Sequence, residues 1–498
     1  MFPLLTLTVF LPLAGAILLV IASQIGLSPR TSHAIGIIIS GLTLISALAV
    51  WLRGVDGEFS QIEQVEWIPS LGAGYRLGVD GISLPLVLVT TVLFFASLIF
   101  SAEIRERATA YVALFLALET ACLGVFLSLD LVLFYVFWEV TLVGMYFIIA
   151  GWGHEHRQRA ALTFFIYTLL GSLPLLLGIL ALYLEGDPRT FDMRAIIADP
   201  PLSGSIATFA FAALFIAFAI KIPIFPVHTW LPTAHVEAPT AGSVILAGVL
   251  LKLGTYGLLR IGLQMTPDAF RDAAPYVAII AVISALYGAF IALAQSDLKR
   301  LVAYTSVNHM GYVALGIAAA AAATSAGDRD FALDGAVLQM VSHGIVTGAL
   351  FLLVGMVQER TGTREMGEIS GLLGRVPRLG WAFILAAFAS LGLPGLAHFP
   401  AEFQIFLGTF GVWPVAAAIV VIGIVVTAGL YLRAIQAAFL GPSPDGSNDD
   451  ASGTSRFGDL SFREIGAVGP LLVLTVAIGV YPTMLLDAIH RTIDLLPV

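Results

Sequence analysis

Charge is what this sequence has least of: Asp, Glu, Lys and Arg make up 11% of its 498 residues, against about 25% in an ordinary soluble domain. A water-soluble globule of that composition could not cover its surface with polar groups, so that class is excluded. Cysteine occurs once, at Cys122, which excludes a disulfide framework, a Cys-ligated zinc site and an iron–sulfur cluster within the chain. Basic tracts are missing and the net charge is −9, which removes nucleic-acid binding; disorder and collagen-like repeats fail on the same composition. No GxGxxG, Walker loop or metal-binding cluster stands in the sequence, so no nucleotide, redox cofactor or metal is expected in this chain. What remains is apolar: 58% of residues and a mean hydropathy of +0.95. This is the composition of an integral membrane protein.

A helix needs about 20 apolar residues to cross the hydrocarbon layer. Such runs occupy 2–24, 33–52, 82–102, 109–129, 131–152, 160–184, 205–231, 239–263, 274–296, 300–324, 331–357, 377–411, 412–440 and 465–486. The expectation is therefore an all-α polytopic protein of about fourteen transmembrane helices. The run 377–411 is too long for one straight span, and Pro394 and Pro400 predict a break in it. The first run lacks a basic n-region and a small-residue cleavage site, so it reads as a span and not a signal peptide.

Fourteen of the 24 Lys and Arg residues fall in loops after odd-numbered helices and eight after even-numbered ones, with Lys221 and Lys252 inside spans. The positive-inside rule then places both termini on the extracytoplasmic side. Residues 53–80, with Gly72, Gly74 and Gly78 among aromatic and charged residues, read as an extended hairpin-like outer loop. Residues 441–462 read as a flexible acidic linker on the cytoplasmic side.

The sequence also resembles itself at an offset near 170 residues. Tyr111-Val112-Ala113 answers Tyr276-Val277-Ala278, and Asp130 answers Asp297. Gly144 beside Met145 and Tyr146 matches Gly311 beside Met310 and Tyr312; Gly171 and Gly178 match Gly348 and Gly355. Proline-broken helices follow at Pro223 and Pro394, and Gly254-x-Tyr256 answers Gly429-x-Tyr431. Each copy spans five helices, an odd number, so the second enters the membrane from the opposite side. The expected organisation is three N-terminal helices (1–108), a first five-helix repeat (109–263), an inverted second repeat (274–440), the linker 441–462 and a last helix (463–498). Helices 7 and 12 are the broken ones, and inverted repeats with discontinuous helices place their sites near the bilayer midplane.

A charge at the centre of a membrane helix costs about 2.5–3.5 kcal/mol on insertion scales, so each one asks for a reason. The candidates are Glu119, Glu139, Lys221, Lys252 and Glu402, with His228, His309 and His343 as polar company. Pro223 and Pro226 remove the partners of the Ala219 and Ile222 carbonyls, and Pro394 and Pro400 those of Ser390 and Leu396. Freed carbonyls at membrane depth are tolerated beside polar groups or water, so both breaks predict hydrated cavities. At 4 Å and an effective dielectric near 20, a Glu–Lys attraction is about 4 kcal/mol, or about a thousandfold in proton occupancy. Making or breaking a Glu139–Lys221 pair can thus load or release a proton, and Lys221, Lys252, His309, His343 and Glu402 compose a relay. The plainer alternatives stay open at this point. Lone intramembrane charges also serve as structural ion pairs, and Glu119 as a bridge to a neighbouring chain. His228 and His235 near the first break can simply bond freed carbonyls. Haem ligation by His309 and His343 is a further option, although no two pairs repeat at bis-haem spacing. His154 and His156 read as a solvated cytoplasmic loop.

The stretch FAIKIPIFPVHTWLPTAHVEAPTAGSVILAGVLLKLGTYGLLRI (218–261) resembles the signature of the antiporter-like membrane subunits of respiratory complex I. VLFYVFWEVTLVGMYFIIAGWG (132–153), SDLKRLVAYTSVNHMGYVALGI (296–317) and VSHGIVTGALFLLVGMVQERTGTREM (341–366) extend the resemblance over nearly the whole chain. The resemblance implies fourteen core helices in two inverted repeats, with Glu139 paired to Lys221, Lys252 central, His309 and His343 on a hydrated axis and Glu402 on broken helix 12. An acid at that last position marks one sister subunit; the others, and many sodium/proton antiporter relatives, carry Lys. The implied function is proton translocation driven by quinone reduction elsewhere in an NADH:quinone oxidoreductase of a bacterial inner membrane. The chain would then do no redox chemistry itself. NAD, FMN, iron–sulfur clusters and quinone would belong to partner subunits, and its neighbours would be other membrane subunits, sister antiporter-like chains and lipid. A multisubunit cation/proton antiporter, a related hydrogenase or ferredoxin-linked complex, and a purely structural membrane anchor are the alternative readings.

Overall fold

The computed structural model describes residues 3–24, 26–55, 59–441 and 458–496, so most of the expected linker 441–462 lies outside the described residues. The first helices are α1 Leu4–Ser23, α2 Pro29–Arg53, α3 Ser83–Phe100, α4 Ala108–Leu127, α5 Leu131–Trp152 and α6 Arg157–Glu185. Next come the short α7 Met193–Ala198, then α8 Gly204–Lys221, α9 Trp230–Glu237, α10 Thr240–Ile245 and α11 Leu251–Gly257. The second half holds α12 Pro267–Leu293, α13 Leu298–Ala322, α14 Ala326–Thr361, α15 Leu372–Arg375, α16 Pro377–Ser390 and α17 His398–Val412. α18 Pro414–Ala438, α19 Phe462–Val480 and α20 Thr483–Ile493 complete it. A π-helical turn, Leu246–Leu250, joins α10 to α11 and a second, Leu258–Leu263, extends α11, making one 24-residue helix, Thr240–Leu263.

Twelve helices among the described residues are long and apolar enough to cross a membrane. The protein is a mostly helical, multi-pass integral membrane protein. Two of the fourteen expected crossings are not among the twelve. One is α13, with Thr305, Ser306, Asn308 and His309 along it; the other is the predicted broken run, which is split into α16 and α17 of 14 and 15 residues. Residues 391–397 form that break, and Pro400 is not part of it: it sits in the first turn of α17, where the missing N–H has no intrahelical partner to lose.

The best-enclosed segments are Thr240–Leu263 and α14, whose apolar stretches are wholly covered by other helices. α13 packs against both α11 and α14. Close backbone approach makes this possible. A Cβ on Gly311 of α13 would lie 2.8 Å from the Ala285 nitrogen of α12, and one on Gly408 of α17 would lie 2.5 Å from the Ala332 nitrogen of α14. With no hydrophobic driving force between helices in lipid, such small-residue contacts supply the packing.

The loops sort to two ends. At one end residues 53–80 carry an antiparallel hairpin of β1 (Ser60–Ile68) and β2 (Ala73–Val79), as expected. Leu129 N–H bonds the Arg76 carbonyl at 2.9 Å, Gly81 N–H bonds Thr492 Oγ1 at 2.8 Å, and Arg329 reaches the Leu496 carbonyl at 3.3 Å. At the other end His154 N–H bonds the Glu237 carbonyl at 2.8 Å, Lys299 Nζ the Ala238 carbonyl at 2.6 Å, and Arg463 pairs with Glu103 at 2.9 Å. Two of the charges counted for the inside rule are not solvated loop charges. Arg260 lies within the Leu258–Leu263 π turn and is 1% exposed, and Lys299 at the start of α13 is also 1% exposed.

Asp130 and Asp297, the matched pair of the internal repeat, are built alike. Each caps its helix by accepting from the N–H groups two and three residues on, and each pairs with an arginine, Arg76 at 2.5 Å and Arg364 at 3.2 Å. One-residue β-bridges tie Asp130 to Asp192 and Asp297 to Glu365.

The C-terminal α20 is held at the hairpin end by His490, whose Nδ1 lies 2.9 Å from Asp334 Oδ2. Burial of the ring favours its neutral form, but Asp334 and then Asp494 outweigh this and raise His490 above its ordinary 6.5. A raised folded value means the added stability is full below pH 6.5 and fades as pH rises through the folded value. Amide hydrogen exchange of residues 483–493 is therefore expected to be slower at pH 6 than at pH 8, after correction for intrinsic rates. A His490→Gln variant should abolish that difference.

Candidate functional site

Lys221 ends α8 and is 2% exposed. Beyond it Pro223 and Pro226 interrupt the helix, and the freed backbone groups find other partners. The Ala219 carbonyl takes the Ile224 N–H at 2.9 Å, and the Ile220 carbonyl takes Trp230 Nε1 at 3.0 Å. The Ala219 carbonyl, expected to be unpaired, is thus satisfied by a wider turn. Neither His228 nor His235 performs this repair. Both His235 nitrogens and His228 Nδ1 are buried without a hydrogen bond, and His235 stacks on Phe351 at 4.6 Å.

The Lys221 ammonium contacts Thr141 Oγ1 at 3.4 Å and stands 5.1 Å from the centre of the Trp138 ring, a cation–π contact. Trp138 and Thr141 are three residues apart on α5 and share a face; Glu139 is turned about 100° from Trp138. Lys221 and Glu139 form no ion pair here, and Glu139 Oε1 is buried without a partner. The pair named in the sequence is therefore open in this structure. Glu119, on α4, is fully buried and accepts from Ser40 Oγ at 3.1 Å.

The second group is tighter. Lys252 follows the first π turn, and its Nζ donates to the Ala247 carbonyl at 2.5 Å and meets His343 Nδ1 at 2.6 Å. The His343 ring lies 5.5 Å from that of His309 and parallel to that of His398 at 6.1 Å. His309 Nε2 and His398 Nδ1 converge on the Ser390 carbonyl at 3.1 and 3.3 Å. That carbonyl is the one Pro394 deprives of its helical donor. Glu402 Oε1 accepts from Gln339 Nε2 at 3.3 Å and lies 3.7 Å from His309 Nε2 and 3.8 Å from His398 Nδ1. Gly392, at φ +79°, admits the carboxylate: a Cβ there would be 2.7 Å from Glu402 Oε2.

Four of the six predicted site residues, Lys252, His343, His309 and Glu402, are therefore brought into one buried line. Lys221, at the other broken helix, and Glu139, on α5, lie apart from it. The two breaks match in register at an offset of 169, since Ile222 and Ile224 bond back to Phe218 and Ala219 as Leu391 and Leu393 bond back to Ala387 and Phe388. They are not chemical copies, because Lys221 ends the first half-helix where Ser390 ends the second, while Glu402 lies beyond its break. The sequence reading missed His398 and Gln339. His398 stands inside LGLPGLAHFPAEF, and its distance of four residues from Glu402 was the available signal. Chemically, the line offers a base, three imidazoles and an acid in close, buried succession.

Residues 128–427, which include all six predicted positions, match the membrane family described as NADH:quinone oxidoreductase/Mrp antiporter. NADH-quinone oxidoreductase subunit M of Rickettsia prowazekii is 37% identical over 500 residues, covering 99% of this chain and 98% of that one. The subunit M of Rhodobacter capsulatus is 39% identical, covering 98% and 95%. A chain of respiratory complex I from Thermus thermophilus superposes with a TM-score of 0.87 at 31% identity, covering 99% of this chain and all of that one. A chain of the Mrp complex from Dietzia sp. has the same fold, with a TM-score of 0.85 at 24% identity. With more than half its length inside that match and near-complete relatives well above 30% identity, the chain belongs to the NADH:quinone oxidoreductase/Mrp antiporter membrane family.

Proposed function

We propose that this chain is a proton-translocating membrane subunit of an NADH:quinone oxidoreductase, working as subunit M does among its relatives. It assembles with other membrane subunits of that complex. NADH oxidation, the flavin, the iron–sulfur clusters and the quinone site belong to other chains, and this one couples to them through charge alone. The observation that carries the relay is the buried succession of Lys252 Nζ, His343, His309 and Glu402, built where a helix break aims a free carbonyl at two histidines. Protonation of Lys252 draws the neighbouring imidazoles into reorientation, and Glu402 takes the charge at the far end. Lys221 resting on Thr141 and Trp138 is the separated state of the Glu139 pair; closing it is the step that loads the first half.

The chain lies in a bacterial inner membrane with the hairpin end, and both termini, on the extracytoplasmic side. The loop charges and the sorting of loops to two ends support this orientation. Lys252→Ala and Glu139→Ala, each in the assembled complex, are expected to lower proton uptake by closed vesicles per NADH oxidised. The complex should keep its native mass. Parental pumping by both variants would leave only a structural anchor, and NADH-independent sodium/proton exchange by the isolated chain would move the assignment to an antiporter.

A further inference from the structure

Zinc-class cations are bound by imidazole nitrogens and carboxylate oxygens at about 2.0–2.2 Å in a tetrahedron, which sets neighbouring ligand atoms about 3.3 Å apart. Among the described residues, His309, His398 and Glu402 each offer one ligand atom, and these atoms all lie within 4.8 Å of one another. Glu402 Oε1 is 3.7 Å from His309 Nε2 and 3.8 Å from His398 Nδ1, so small rotations of the three side chains close the set. The Ser390 carbonyl, 3.1 and 3.3 Å from the same two nitrogens, offers a fourth, oxygen donor beside them.

We propose that His309, His398, Glu402 and the Ser390 carbonyl form a binding site for a divalent transition-metal cation of the zinc class. Two imidazoles with oxygen donors suit zinc and its neighbours and are poor for magnesium or calcium, which take oxygen alone. The hydrogens also have somewhere to go. While each ring donates to Ser390, His309 Nε2 and His398 Nδ1 carry the N–H. The opposite nitrogens, His309 Nδ1 and His398 Nε2, are buried and have no partner. A change of tautomer moves each hydrogen to that unbonded nitrogen and turns both lone pairs toward the metal, with no change in ring charge. The break between α16 and α17 builds the site, because it frees the Ser390 carbonyl and, through Gly392, lets the carboxylate approach.

A cation held there occupies two imidazoles and the acid that the proposed proton line uses, so it blocks that line. This consequence rests on the proposed function; the binding does not.

The test is titration of the intact purified complex with Co2+, a zinc stand-in whose visible absorption reports coordination. The parent is expected to develop a tetrahedral Co2+ band that Zn2+ displaces. His398→Asn and Glu402→Gln, each removing one ligand, should weaken that band's affinity tenfold or more. No displaceable tetrahedral band in the parent, or the same band at the same affinity in both variants, overturns the site. If neither variant assembles, zinc-edge absorption of the parent decides: a shell with two imidazoles supports the site, and an all-oxygen or thiolate shell refutes it. Metal binding with undiminished pumping would retain the site and refute the proton line through it.

Discussion

Glu402→Gln is expected to reduce proton passage through this chain by about a hundredfold, the lower range for removing a positioned acid–base group, with the fold intact. Glutamine has the same shape, can still accept from Gln339, and fits the space that Gly392 leaves open. What it lacks is an ionisable proton. Among the described residues Glu402 is the only acid against His309 and His398; the remaining members of the line, Lys252 and His343, are bases. A carboxylate about 4 Å from an imidazolium, at an effective dielectric near 20, contributes about 4 kcal/mol, which is ample to pull a proton to that end of the line. An uncharged amide contributes almost none of this. The measurement is protons moved per NADH oxidised in closed vesicles, with native mass confirming assembly. Glu402→Asp should restore part of the flux, because its acid survives but sits one methylene further from the histidines. Parental proton stoichiometry in an assembled Glu402→Gln complex would remove Glu402 from the route.

The residues legible in the sequence were those whose cost inside a membrane is conspicuous. Lys221, Lys252 and Glu402 stand out in apolar runs, and the prolines near Lys221 and Glu402 announce broken helices at any register. The hairpin in 53–80 was legible for a similar reason, since its glycines interrupt a polar stretch between two clear spans. Contacts across the fold were not. Ser390 is an ordinary small residue in the sequence, and its importance comes from a carbonyl facing His309, 81 residues away. Helical angle defeated the Glu139–Lys221 expectation in this structure, because Trp138 and Thr141, not Glu139, share the face toward the ammonium. Hydropathy, too, separates spans well only where they are uniformly apolar. α13 carries polar residues along its length, and α16 and α17 are each too short to be recognised alone, so the three helices nearest the acid end of the line are the least obvious as membrane helices.

Asp80→Ala is expected to destabilise the assembled protein by about 3–5 kcal/mol, the cost of stripping one partner from a buried ion pair, although neither residue stands in the proposed proton line. Arg260 and Asp80 form a salt bridge with side chains 1% and 0% exposed. The guanidinium also contacts Gln264 Oε1 at 3.0 Å and Tyr256 Oη at 3.4 Å, and stands 4.9 Å from the Phe59 ring centre. Asp80 meanwhile accepts from the N–H groups of Ile82 and Ser83 at 3.1 and 2.8 Å, holding the start of α3. One carboxylate thus fastens the hairpin, α3 and the central Thr240–Leu263 helix together. Asparagine can keep the backbone bonds through its carbonyl oxygen but cannot neutralise Arg260, so Asp80→Asn should lose most of what Asp80→Ala loses. Arg260→Met together with Asp80→Asn removes both charges and should recover much of the loss, since a buried pair replaced by uncharged residues is often near neutral. Thermal melting of the detergent-solubilised complex ranks the three variants. If the double variant melts no higher than Asp80→Asn, the stabilisation lies in the packing and backbone bonds of these residues; if it recovers, the buried charge itself is what the hairpin end is built to neutralise.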